Sequence, residues 1–299
     1  MRVKTRSSAL AEGIAAGALF GTASIFIRFL QDLDAFSIAF WRLIIACLTL
    51  AIIFIFSRNV LSFDLVKKNV KDLFILSVFL GLHFIFFISA VKETTILNAT
   101  VLVNTTPIFS MFISSFFFKL KPSRLAIAGL TIAFVGLCVI AYAETLSGTQ
   151  SQGFSPSLKG DLEAVLAALV ESFYLSYGKR VRSQMSIISA MLPIYMMTAV
   201  FVGIASTPFT NRALTLPIEA KAILPLFGLG VLPTATAHTL YFSSLSNLKS
   251  FETATMALLE PIGATVLGIM LFNEIPAPLF ALGAGLILLG ILFIVKKES

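Results

Sequence analysis

Ten continuous apolar runs, each about the length of a membrane crossing, follow one another through this chain with only short polar breaks between them. They fall at approximately 9–29, 35–57, 72–91, 95–118, 124–143, 160–178, 187–207, 222–244, 250–272 and 277–295. Crossing ~30 Å of hydrocarbon at 1.5 Å per residue takes about 20 residues of helix. A closed barrel is the other structure a bilayer permits, but its strands would alternate apolar and polar residues, and these runs do not. Of the 299 residues, 58% are hydrophobic and 12% charged, against about 25% charged in an ordinary soluble domain. The expectation is therefore an all-α polytopic membrane protein of ten transmembrane helices.

The charge pattern sets the orientation. With the N-terminus in the cytoplasm, 16 of the 22 Lys and Arg fall in segments on that side, 5 fall outside, and Arg42 lies within a run. By the positive-inside rule both termini are cytoplasmic. The net charge of +7 comes from these short flanking loops, which excludes a nucleic-acid surface as its explanation. The basic N-terminus leads into a run long enough to span, with no clear small-residue cleavage site, so it reads as a retained first helix. Cys47 and Cys138 both sit inside apolar runs and suggest no disulfide.

The Ser/Gly/Gln-rich break around 146–159 reads as a linker between two five-span halves, 1–145 and 160–299. Shifting residue numbers by 154 superposes Pro107 on Pro261, Pro122 on Pro276, Gly129 on Gly283 and Gly136 on Gly290. Because five is odd, the second copy enters the membrane from the opposite face. Such inverted repeats place a binding site near the midplane between the halves. Gly13, Gly17 and Gly21, one turn apart, mark a face for close helix approach.

The stretch LLEPIGATVLGIMLFNE at 258–274, a Gly-spaced last helix and KRVRSQ after the sixth run resemble the drug/metabolite transporter superfamily, specifically its ten-helix EamA-like family. Glu260, Pro261 and Glu274 carry the most specific part of the likeness. The first half departs from it: Thr106 stands before Pro107 where the second half has an acid, and Lys119, Leu120 and Lys121 replace the turn acid. The resemblance implies a secondary carrier in the bacterial cytoplasmic membrane, working by alternating access and often exporting amino acids or drugs. The family also includes carriers of nucleotide-type metabolites such as S-adenosylmethionine, which leaves uptake or exchange of such a solute as an alternative. A non-transporting membrane scaffold is a more remote one. The chain has no GxxxxGK[ST] loop, no HExxH and no nucleophile elbow, so no ATPase, metal, cofactor or enzymatic role is expected. Monomer and homodimer both remain open.

Polar residues inside apolar runs are the site candidates. A charge at mid-helix costs about 2.5–3.5 kcal/mol on insertion scales, so it needs a partner or a function. Glu260 precedes a helix-breaking proline and is either a substrate-amine or proton site, or a structural acid. Glu171 sits midway along the sixth run among Ala164, Ala167 and Ala168 and reads as a cation or proton site. His83 and His238 fall one residue from equivalence under the repeat offset. Arg42 reads either as an interfacial anchor that snorkels outward or as an anion-binding arginine. Asn104, Tyr174 and Tyr241 are candidate hydrogen-bonding cavity residues. Pro107, Pro261, Pro225 and Pro233 are expected to break or kink their helices, as is Pro193.

Overall fold

The computed structural model describes residues 5–56, 62–119, 122–147, 156–210, 214–215, 220–272 and 277–296. Glu274 and Pro276, as well as the central part of the linker, lie outside them. Among the described residues there is helix and no strand. Eight helical stretches are long and apolar enough to cross a membrane by length and composition.

In chain order the helices are α1 (Arg6–Phe20), α2 (Ala23–Arg28), α3 (Ala35–Phe56), α4 (Phe63–Lys68), α5 (Val70–Glu93), α6 (Ile96–Val103), α7 (Thr106–Phe116), α8 (Arg124–Ser147), α9 (Leu158–Arg182), α10 (Ile187–Ser206) and α11 (Ala220–Leu229). A π-helical stretch (Gly230–His238) joins α11 to α12 (Thr239–Ser244), and a 3₁₀ turn (Ala257–Leu259) joins α13 (Ser250–Met256) to α14 (Glu260–Phe272). The last helix is α15 (Pro278–Val295). Two of the ten runs read from the sequence are outside the eight. One, α9, is rich in charges near its ends; the other, 250–272, is interrupted by the 3₁₀ turn. Helix α8 continues to Ser147, two residues beyond the expected end of the first half, and the short α4 lies within what the sequence reading treats as a polar break.

The prolines act differently from one another. In an α-helix the ring of Pro261 would collide with the carbonyl of Ala257 and leave it without a partner. The chain instead takes a 3₁₀ turn at Ala257–Leu259 and restarts at Glu260, so that Pro261 occupies the second position of a new helix, where no donor is required. Pro107 does the same in α7 after a break at Asn104–Thr105, and the freed Val103 carbonyl accepts a hydrogen bond from Thr106 Oγ1 at 2.7 Å. Pro233 lies within the π-helical stretch. Helix α11 runs through Pro225 without a break. Helix α10 likewise runs through Pro193.

Packing is set by backbone approach at small residues. A Cβ added to Gly136 would lie 2.6 Å from the Gly283 carbonyl oxygen, and one added to Gly129 would lie 2.6 Å from the Gly290 oxygen, so α8 and α15 touch backbone to backbone in antiparallel fashion. Gly17 meets the Met256 carbonyl, just where the 3₁₀ turn begins. Helix α9 packs on α5, α6 and α7, and α1 packs on the π-helical stretch, α12, α13, the 3₁₀ turn and α14. Helix α3 packs on α10. Large apolar side chains such as Phe56, Phe116, Ile204 and Leu292 face outward, as a lipid solvent requires.

Helix α9 has two polar fastenings at opposite ends, about 27 Å apart at 1.5 Å per residue between Asp161 and Lys179. At its start, Asp161 Oδ1 accepts from Thr94 Oγ1 (2.9 Å) and from Asn98 Nδ2 (3.1 Å). At its other end, Lys179 Nζ donates to the Leu245 carbonyl at 2.5 Å. Near that second end Arg6 makes a two-pronged ion pair with Glu252 at 2.8 and 3.2 Å, and Glu252 also accepts from the Lys249 backbone N–H at 2.7 Å.

Replacing Gly136 or Gly290 by Val is expected to destabilise the protein by about 1–3 kcal/mol or more, because backbone on the facing helix cannot yield. Gly285→Ala, with nothing within 4 Å of the new Cβ, is expected to be neutral. Thermal unfolding of the three variants in detergent micelles checks both expectations.

Candidate functional site

The breaks and bends converge on one small cavity in the helical body, with about 30 Å³ of water-accessible space. Arg42 from α3, His83 from α5, Asn104 from the α6–α7 break, Glu171 from α9, His238 from the π-helical stretch and Glu260 from the start of α14 all line it. Its apolar wall comes from Phe20, Ala23, Phe87, Val103, Pro233 and Ala257. Six of the eight binding or coupling candidates read from the sequence are thus brought to one place.

Each acid has a partner from the other half of the chain. Asn104 Nδ2 donates one hydrogen to the Thr100 carbonyl at 2.8 Å and the other to Glu260 Oε2 at 3.0 Å, leaving Asn104 Oδ1 unpaired. Glu171 Oε2 lies 3.1 Å from Thr106 Oγ1 and 3.8 Å from His83 Nδ1. Thr106 has a single proton. Turned toward Glu171 it donates to a carboxylate; turned toward Val103 O it presents a lone pair that accepts from a protonated carboxyl. The pair therefore fits either state of the acid. His83 Nδ1 is 3.2 Å from the Ala167 carbonyl, an acceptor only, so Nδ1 carries a hydrogen and Nε2 is the variable nitrogen.

The two histidine rings stand 5.8 Å apart, edge to face, with His238 4.8 Å from both Phe20 and Phe84. His238 Nδ1 has no partner. Arg42 is 1% exposed, so it does not snorkel to the surface as one of the two readings had it. Its Nε donates to Thr234 Oγ1 at 2.8 Å and its guanidinium carbon lies 4.0 Å from the centre of the Phe84 ring. Thr234 Oγ1 in turn donates to the Leu229 carbonyl, five residues back, at 2.6 Å. Among the described residues, no cluster of three or more His, Cys, Asp and Glu side chains could hold a metal ion.

Tyr174 and Tyr241 do not line the cavity. The Tyr174 hydroxyl donates to Met191 Sδ at 3.6 Å and its ring packs on Phe242; the Tyr241 hydroxyl donates to the Ala254 carbonyl at 3.4 Å. Three residues separate Tyr174 from Glu171, about 60° around the helix, and the phenol finds its partner in α10 rather than in the cavity. Thr234 escaped the sequence reading because an ordinary α register gives no reason to aim it at Arg42. Elsewhere on the surface, Lys221 Nζ is 2.6 Å from Asp32 Oδ2 and holds that carboxyl below its usual range; being exposed, the pair adds little stability.

A cavity of this kind, polar on facing walls and closed by packed helices, is how a carrier would hold a solute. The chain matches the EamA-like transporter family over residues 8–142 and 158–296. It belongs to that family. It is 24% identical over 99% of its length to the uncharacterized transporter YxxF of Bacillus subtilis, covering 92% of that protein. It is 23% identical to an uncharacterized transporter of Archaeoglobus fulgidus, over 92% of each chain, and 27% identical to the uncharacterized transporter YdfC of Bacillus subtilis, over 88% of this chain and 82% of that one. A solved crystal structure superposes with a TM-score of 0.78 at 18% identity, covering 97% of this chain and 96% of the other, which speaks to the fold alone. The protein is thus a multi-pass membrane protein of a transporter family.

Asn104→Leu is expected to cost about 1–3 kcal/mol, because it strands the Glu260 carboxyl without its donor. Adding Glu260→Leu is expected to recover most of that loss, since an apolar pair replaces both partners. A double-mutant cycle of thermal unfolding in detergent measures the coupling.

Proposed function

We propose that this EamA-family member is a secondary, ATP-independent carrier that exports amino acids or related amphipathic solutes across the bacterial cytoplasmic membrane by alternating access. The observation that carries this reading is the buried cavity, with two carboxyl groups, two imidazoles and an arginine facing one small space. Charged groups inside a membrane are costly, and a solute pathway is what most often retains them. The resemblance to the family supplies the direction of transport, and the mixed polarity of the cavity lining favours an amphipathic solute.

In this reading the chain crosses the membrane ten times as two inverted five-helix repeats, 1–145 and 160–299, with 146–159 between them and both termini cytoplasmic. Matches to the family on both sides of the linker support the division. The contacts support the inversion. Gly129 meets Gly290 while Gly136 meets Gly283, the reciprocal exchange expected about a two-fold axis lying between antiparallel α8 and α15. The same 154-residue shift exchanges the packing of α9 on α5, α6 and α7 for that of α1 on the segments from Gly230–His238 to α14. It also carries Asn98, which bonds Asp161 at one end of the molecule, onto Glu252, which pairs with Arg6 at the other. Each membrane face then has its own fastening between the halves, and opening one while keeping the other is the simplest form of alternating access.

Glu171, with a threonine partner that serves either protonation state, is the proton site in this scheme. Glu260, held by Asn104, faces the amine of the solute. Uptake and counterflow in proteoliposomes, using pooled labelled neutral amino acids with and without a pH gradient, test the assignment. Wild type is expected to show saturable flux stimulated by the gradient. Glu171→Gln is expected to lose the stimulation and keep counterflow, and Glu260→Gln to weaken apparent affinity tenfold or more. Gradient-independent counterflow untouched by either change would make both glutamates structural.

A further inference from the structure

Neither proton coupling nor the amine site uses Arg42, although its placement is the costliest in the cavity. It is a full cation, 1% exposed, on a helix that faces the bilayer on its other side. Among the described residues it makes no ion pair. Its only hydrogen bond to the described residues is the one from Nε to a neutral hydroxyl, Thr234 Oγ1 at 2.8 Å, and Nη1 has no partner among them. A guanidinium has five N–H donors in a fixed planar fork that matches a carboxylate. Here the fork is fixed in place as well. Arg42 Cζ lies over the Phe84 ring, 4.0 Å from the ring centre, and Thr234 accepts from Nε.

The device that holds it is a local departure from the α-helix. The Thr234 hydroxyl donates to Leu229 O five residues back, and the Thr234 carbonyl accepts from Tyr195 Oη at 2.7 Å. The π-helical stretch thus turns Thr234 toward α3, and such stretches are concentrated at functional sites. An unpaired buried cation that is nonetheless rigidly oriented into a cavity calls for an anion from outside the protein.

Resting on the carrier reading above, we propose that Arg42 binds the carboxylate of the carried solute, with Thr234 as its positioning residue, so that the cavity selects zwitterions. Arg42 lies seven residues into α3, about 10 Å along the axis, and Glu171 thirteen residues into α9, about 20 Å. Both helices start at the same end of the molecule: Arg28 Nη2 donates to the Thr94 carbonyl and Lys92 Nζ to the Gln31 carbonyl, which ties the chain before α3 to the end of α5, and Thr94 in turn bonds Asp161 at the start of α9. The carboxylate therefore points toward that end and the ammonium toward the two acids. The histidine rings, Phe20 and Phe87 pack on the solute's apolar part.

The test uses the full-length purified protein. Three probe pools are compared: neutral L-amino acids, their carboxamides, which lack the carboxylate, and their N-acetyl derivatives, which lack the amine. Thermal protection in detergent reads binding, and counterflow in proteoliposomes reads transport. Wild type is expected to be protected by the amino acids at concentrations at least tenfold below those needed with the carboxamides or with inorganic phosphate. Arg42→Met is expected to remove this preference while leaving the ligand-free melting temperature equal or higher, because a buried unpaired charge has been replaced by an apolar chain of similar length. Arg42→Lys, without the fork, and Thr234→Val, without the positioning hydroxyl, are expected to retain part of the preference.

Equal protection by carboxamides, by phosphate or by nothing tested would overturn the assignment, and so would a carboxylate preference that survives in Arg42→Met. A lowered ligand-free melting temperature in Arg42→Met with the preference intact would make the arginine a structural group. Carboxylate-selective protection without counterflow would leave the subsite standing and defeat the carrier reading. Counterflow with no carboxylate preference would do the reverse.

Discussion

A polar atom placed within the hydrocarbon of a bilayer finds no water, so its partner must come from the protein, from a solvated cavity or from a ligand. Much of this structure can be derived from that constraint. Glu260 obtains Asn104 from the other half of the chain, and Glu171 obtains Thr106 and the neighbourhood of His83. The carbonyl that Pro107 leaves free is met by Thr106, and the helix is recast as a 3₁₀ turn before Pro261. These requirements draw six ionisable or amide side chains to a single central space. Among the described residues, three of the buried polar atoms without a partner, Arg42 Nη1, His238 Nδ1 and Asn104 Oδ1, belong to residues lining that same space. A solute or water supplies what the protein does not.

The helix contacts serve the same end by a different route. In lipid no hydrophobic effect pulls helices together, so backbones must approach at small residues. Gly129, Gly136, Gly283 and Gly290 join α8 to α15 at the periphery, away from the cavity, whereas Gly17 and Gly21 seat α1 on the broken segment that carries Glu260. Around the cavity the helices are fastened mainly by hydrogen bonds and ion pairs at their ends, such as Asp161 with Asn98 and Arg6 with Glu252. Polar fastenings in contact with water can be exchanged for hydration at modest cost, while backbone-deep glycine contacts cannot. The division suits a molecule with a stable frame and ends that open.

How much of this could be read from the sequence depended on the range of the interaction. The apolar runs follow from composition alone, and the punctuation by Pro107, Pro261 and the spaced glycines follows from local backbone chemistry. The acids, histidines, Asn104 and Arg42 stood out because each is expensive in an apolar run. What they touch was not legible. Tyr174 and Tyr241 have the right chemistry for a cavity, yet a thioether and a carbonyl on neighbouring helices satisfy them first. Pro225 looked like Pro233, yet α11 runs through the first while the second lies in the π-helical stretch. The π-helical stretch, and with it Thr234 and the burial of Arg42, depends on packing against α3 and α10, which no periodicity in 230–238 reports.

The central claim is that the two halves move about the cavity so that it opens to one face at a time. Spin labels at Leu97 and Leu162 flank the Asn98–Asp161 fastening, and labels at Ser8 and Asn247 lie near the Arg6–Glu252 fastening. With Cys47 and Cys138 replaced, double electron–electron resonance on each pair in nanodiscs, across pH and with and without the neutral amino-acid pool, measures both ends of the same protein. The account predicts two distance populations at each pair that shift in opposite directions, one end closing as the other opens. Distances that change together, or that stay single and fixed under every condition, would contradict it.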